Sequence, residues 1–114
     1  MIEAPPAIIC EQPRAIDGDT IACANLARHV RLLGIDAPEL DGHCRIGRVC
    51  TPGDGAASQR QLAELLRTGA ASVETVSFDR YGRILARARI GKVDLSCKLV
   101  ESGAAVLRYA RIDC

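Results

Sequence analysis

Aromatic residues are nearly absent from this chain, which has only Phe78, Tyr81 and Tyr109 and no Trp. A protein that stacks successive bases of a single strand on aromatic platforms needs more of them. An excess of one charge is missing too: 15 basic and 14 acidic residues leave a formal net charge of +1. No global field draws in a polyanion, so any polyanion site must be local. Lysine is scarce, with Lys92 and Lys98 set against 13 arginines. Arginine is the better bidentate phosphate ligand, although an arginine-biased genome explains the same excess. No apolar run is long enough to span a membrane, and residues 1–9 are too short and wrongly charged for a signal peptide.

Cysteine, by contrast, is plentiful. The six are Cys10, Cys23, Cys44, Cys50, Cys97 and Cys114. An even count in a short chain points to up to three disulfides and to a periplasmic or secreted protein. The expected pairs are Cys44 with Cys50 across a short loop, Cys10 with Cys23, and Cys97 with Cys114, the last tying down a chain end that otherwise frays. Free buried cysteines are one alternative. Another is a zinc site built from Asp41, His43, Cys44 and Cys50, which lacks a Cys-x-x-Cys knuckle.

The length fits one domain over residues 1–114 without a linker. In chain order, residues 7–16 read as a strand with a bulge or edge at Pro13, and residues 20–24 as its hairpin partner. Residues 29–35 make a third strand, beside which His29 faces solvent. Residues 40–52 form a polar loop. Residues 54–67 form a helix that Asp54 caps and Gly69 ends, with Leu62, Leu65 and Leu66 on one face. Residues 72–78 and 84–90 are strands joined by a turn at Asp79–Gly82, the second with one wet face. Asp94 caps a short helix with Leu95, Leu99 and Val100 inward, and Gly103 ends it. The expected class is α+β, mainly β: a five-stranded Greek-key barrel with two or so helices.

The chain is organised around residues 16–39. Asp17-Gly18-Asp19-Thr20 lies between two strand-like segments, and an Asp-Gly pair there is a hairpin signal. Val30-Arg31-Leu32-Leu33-Gly34-Ile35 reads as a mostly buried strand, and Pro38 stops it at Asp36-Ala37-Pro38-Glu39. Either half alone is ordinary punctuation. Together they place Arg31, a cation inside an apolar run, where only an anion makes its burial tolerable. Asp19 and Asp36 are hard oxygen ligands suited to Ca²⁺ or Mg²⁺.

These residues resemble the staphylococcal nuclease family, whose pattern runs I-D-G-D-T, R-L-x-G-I-D-x-P-E, D-x-Y-G-R and L-V-x-x-G-x-A. Here the blocks stand at Ile16 to Thr20, Arg31 to Glu39, Asp79 to Arg83 and Leu99 to Ala105. The resemblance implies an OB-fold barrel packed by helices. It implies a Ca²⁺-dependent, sugar-non-specific endo/exonuclease that hydrolyses DNA and RNA, preferably single-stranded or denatured, to 3′-phosphate products.

The resemblance also supplies roles. Asp19 and Asp36 match calcium ligands, and Ala37 matches a position that ligates through its backbone carbonyl, where the family often has Thr. Glu39 matches the general base or the orienter of the attacking water. Arg31 and Arg83 match the arginines that grip the scissile phosphate. Arg80, Tyr81 and Tyr109 match positions at the nucleotide. For Tyr81-Gly82-Arg83 the alternative is a hairpin turn with exposed charges, and for Tyr109 a half-buried core aromatic. The expected protein is a monomer without an obligate protein partner. Two other functions compete: a non-catalytic OB-fold module that binds nucleic acid or protein, and a disulfide-stapled secreted module indifferent to metal.

Overall fold

Alternating apolar residues build the longest ladder. Ala71, Val73, Ile84, Ala86 and Ala88 all face inward from two strands that pair along their whole length. The computed structural model describes residues 6–40, 47 and 49–114. Among them the elements run β1 (Ile8–Ile9), β2 (Arg14–Ala15), β3 (Thr20–Ala22), β4 (Val30–Leu32), β5 (Ile35–Asp36), α1 (Gly55–Leu66), β6 (Ala71–Phe78), β7 (Ile84–Ile90), β8 (Val93–Asp94), α2 (Leu95–Glu101) and β9 (Val106–Leu107). One curled sheet has the order β1-β6-β7-β4-β3-β2 with β8 added to β7, and β5 pairs separately with β9. The result is mainly β, a half-barrel with two helices, and it is the OB-fold-like α+β class expected.

Two expected strands break. The first, over residues 7–16, divides because β1 pairs with β6 whereas β2 pairs with β3. Between them Gln12 adopts φ 47°, and the Cys10 N–H reaches the Ala71 carbonyl at 2.8 Å. The expected third strand turns at Leu33-Gly34, so β4 stays in the sheet while β5 leaves it for β9. That turn folds Asp36 back towards Arg31.

Both helices start as expected. The Asp54 carboxylate accepts the Ala57 N–H at 3.1 Å, and Asp94 accepts that of Cys97 at 3.0 Å. Such caps satisfy backbone donors that the helix itself leaves open. Leu62 and Leu66 of α1 and Leu95 and Leu99 of α2 are buried against Ile21, Val30, Leu32 and Ile35. The end of α1 differs from expectation. Arg67 rather than Gly69 caps it, because a tight last turn returns the Arg67 and Thr68 N–H groups to Glu64 and Leu65.

Disulfides join Cys10 to Cys23 and Cys97 to Cys114, as expected. Cys50 is also disulfide-bonded, while its expected partner Cys44 lies outside the described residues. Asp41 and His43 of the zinc alternative lie outside them too. No described helix is long and apolar enough to cross a membrane.

Candidate active site

Three short strands bring the charged residues together. In β4 the side chains of Val30 and Leu32 enter the core, so Arg31 between them points to the opposite face. Thr20 of β3 lies opposite Arg31 in the antiparallel ladder, which sets the preceding residue, Asp19, beside it. Asp36 arrives from the end of β5.

The Asp19 carboxylate accepts the Thr20 hydroxyl at 2.9 Å and the Ala37 N–H at 2.9 Å, and lies 3.0 Å from Arg31 Nη1. Arg31 Nη2 donates to Asp36 Oδ1 and to the Ile35 carbonyl, both at 3.2 Å. Arg31 and Asp36 are 7% and 1% exposed, so the pair is almost dry. The single guanidinium thus bridges both carboxylates named in the sequence.

Two glycines make the approach possible, neither because of its backbone angle. A Cβ on Gly18 would sit 2.7 Å from the Cβ atoms of both Ala37 and Ser58. The Asp17–Asp19 loop therefore lies directly on the strand end carrying Asp36 and on α1. A Cβ on Gly55 would collide with the Glu39 carbonyl. The bare start of α1 thus holds the Glu39 backbone in place, with the Glu39 side chain half-buried.

Three participants carried no site role in the sequence reading. Thr51 donates its hydroxyl to Asp36 Oδ2 at 2.7 Å. Arg108 Nη2 donates to Thr51 Oγ1 at 3.1 Å, and its Nε lies 3.6 Å from Asp36 Oδ2. Asp17 sits behind Asp19 and accepts the Asp19 N–H at 3.0 Å. No local pattern announced Arg108; only the pairing of Asp36 with Val106 brings the end of β9 to the site.

The cluster holds more negative charge than Arg31 offsets. Burial, and then the charge of Asp19, push the Asp17 carboxyl up to about 7. Burial works in the same direction on Asp19, but the Arg31 guanidinium and hydrogen bonds with Asp17, Ala37 and Thr20 hold it below its ordinary value. Asp17 and Asp19 cannot both ionise freely, and hard carboxylate oxygens of this kind suit a divalent cation. Asp19 and Asp36 supply oxygen donors of the kind such an ion takes, although no group of three or more His, Cys, Asp or Glu side chains that could hold a metal occurs among the described residues.

The second group lies at the β6–β7 turn. Asp79 accepts the backbone N–H groups of Tyr81 and Arg83, both at 2.9 Å, and Arg83 Nε at 2.6 Å. Partial burial works to raise Asp79, but these donors and the Arg83 charge hold it below its ordinary value. Arg80 and Arg83 sit 5.2 and 5.7 Å from the centroid of the Tyr81 ring. Among the described residues no hydrogen bond or ion pair joins Arg83 to Asp19, Arg31 or Asp36. Tyr109 is not a core aromatic: it is 69% exposed, and its ring lies 5.6 Å from Arg31 Cζ.

The family model described as staphylococcal nuclease homologue matches residues 29–113. The chain belongs to the staphylococcal nuclease family. Arg31, Asp36, Glu39, Arg83 and Tyr109 fall inside the matched stretch, while Asp17 and Asp19 precede it and reach the site through the β3–β4 pairing. No curated protein matches the chain. Membership in the family makes a nuclease or a nucleic-acid-binding domain the functional class of this fold.

Proposed function

We propose that the protein is a Ca²⁺-dependent phosphodiesterase that hydrolyses DNA and RNA by in-line attack of water on phosphorus, leaving 3′-phosphate products. The observation that carries this reading is the convergence of Asp19 and Asp36 on Arg31 in a nearly dry cluster. Asp19, Asp36 and the Ala37 carbonyl hold the ion, which when bound supplies positive charge to a phosphate oxygen. Arg31 and Arg83 grip the phosphate, since planar guanidinium groups meet phosphoryl oxygens in pairs. Among the described residues, buried Arg31 Nη1 and Arg108 Nε have no hydrogen-bond acceptor in good alignment, as expected of donors that serve an anionic ligand. Glu39 takes a proton from the attacking water or orients it. Arg80, Tyr81 and Tyr109 line the nucleotide. Contacts of this kind read phosphate rather than sequence, so base preference is weak.

The protein works as a monomer, one domain over residues 1–114, in a periplasmic or extracellular setting where disulfides persist and Ca²⁺ is abundant. One observation favours a second reading, a nucleic-acid-binding module that does not hydrolyse. Arg31 and Arg108 both approach Asp36, so that carboxylate is already matched by cations. Release of acid-soluble fragments from denatured DNA separates the two readings. Cleavage that needs Ca²⁺, stops with chelator and disappears in Asp19→Ala and Glu39→Gln is the expected result. Folded, disulfide-intact protein that binds DNA and does not cut it establishes the binding module instead.

A further inference from the structure

Alternation along β7 sorts its residues onto two faces. Ile84, Ala86 and Ala88 are buried, whereas Leu85 is half-buried and Arg87 and Arg89 are exposed. The register fixes which face the arginines occupy. Leu85 lies opposite Arg31 in the parallel β4–β7 ladder, so Arg87 and Arg89 share the sheet face that carries Arg31. Same-face positions on a strand are about 6.6 Å apart, so Arg89 lies about 13 Å along the face from the level of Arg31. The step of about 6.6 Å between same-face residues is comparable with the spacing of neighbouring phosphates on an extended strand.

Both arginines are uncommitted. Glu74 lies opposite Arg87 and Asp94 opposite Arg89, registers at which opposite charges ordinarily pair. Yet among the described residues neither guanidinium makes an ion pair or hydrogen bond. For Asp94 the reason is visible, because its carboxylate caps α2. Past Arg89 the face opens into a recess of about 540 Å³ beside the Cys97–Cys114 bridge, where Lys92 adds a further cation and Asp94, Glu101 and Asp113 end the positive run.

We propose that Arg87 and Arg89 form a phosphate track holding the single-stranded nucleic acid that extends from the Arg31 site along β7, away from the Asp79–Arg83 turn. This inference rests on the nuclease reading. A guanidinium with no carboxylate partner binds phosphate without first breaking an ion pair, and its planar fork takes two oxygens. In a chain of near-zero net charge with few aromatics, such a local run supplies the attraction that composition does not.

The test is fluorescence anisotropy with a labelled oligothymidylate of about 16 nucleotides, the upper end of what one OB fold covers, measured in chelator over a range of salt. Arg87→Gln/Arg89→Gln is expected to bind roughly tenfold more weakly at low salt, and to flatten the slope of log affinity against log salt by about 1.4, two contacts at about 0.7 each. Arg14→Gln/Arg60→Gln, with the same loss of charge from exposed residues of β2 and α1, is expected to keep the original slope. An unchanged slope in the β7 variant, or an equal loss in the α1/β2 variant, overturns the track alone. Unsubstituted protein that binds no oligonucleotide overturns the track, and the nuclease reading is then decided by the Ca²⁺-dependent cleavage assay alone.

Discussion

The Arg31 cluster and the Asp79–Arg83 turn use the same chemistry, arginine against carboxylate, in opposite surroundings. Arg31 is fixed by strands on both sides and meets Asp19 and Asp36 with side chains no more than 9% exposed. Arg83 is held by one partner four residues away, its side chain 34% exposed. In the first case the charges are costly to bury, and each depends on the others to be tolerated. In the second, the pair is only partly buried and water still reaches it, so the ion pair adds less to stability. The comparison separates two ways of presenting a guanidinium: one built into the fold, the other borne on a hairpin tip.

The sharpest way to break the comparison is Arg31→Gln. Leaving buried Asp19 without its cation, and Asp36 with Arg108 alone, is expected to cost about 3–5 kcal/mol of unfolding free energy at pH 7, read by urea unfolding. Cleavage should vanish as well. A loss under about 1 kcal/mol would mean that water reaches the cluster and that the contrast in burial is not real.

Arg83→Lys should do the reverse. Stability is expected to stay within about 1 kcal/mol, while cleavage falls about a hundredfold to a thousandfold, because one ammonium cannot replace a fork of donors. An unchanged cleavage rate would reduce the turn to a structural hairpin.

The smallest effect sharpens the buried side of the comparison. In the folded protein Asp17 is raised to about 7, so it holds a proton that the unfolded chain has already lost above its ordinary value near 3.8. Its contribution to stability therefore falls as pH rises between those two values. Asp17→Asn keeps the side-chain oxygen that accepts the Asp19 N–H and removes the charge. It is expected to match the parent near pH 4 and to exceed it by about 1–2 kcal/mol at pH 8, a figure discounted for solvent screening. Parallel stability curves across that range would show that Asp17 is not strained by Asp19.

Much of this was legible in the sequence, for local reasons. Asp54 and Asp94 announce their helices because capping is a matter of three residues. Ile16 to Thr20 announces a hairpin because the turn is short. Asp19 and Asp36 stood out because a charged Arg31 in an apolar run demands anions. What stayed hidden depends on distant pairing. Arg108 meets Asp36 only because β5 leaves the sheet at Gly34 and finds β9, and Thr51 reaches it from the segment before α1, 15 residues along the chain. Gly18 read as a turn former, but its decisive property is the absence of a Cβ against Ala37 and Ser58. The alternation of Arg87 and Arg89 was visible as a wet face; its alignment with Arg31 needed the parallel register.

The parallel pairing of β4 with β7 bears on how the protein is made. Arg31 meets the strand of Leu85, and Asp36 that of Val106, only once residues 84–90 and 106–107 have been made. Pairings this remote form slowly, because loop closure must precede any reward from contact. The contacts among Asp19, Arg31 and Asp36 lie within residues 19–37, whereas Arg108 and the Tyr109 ring reach them only when β9 docks on β5, so the cluster is completed in two stages.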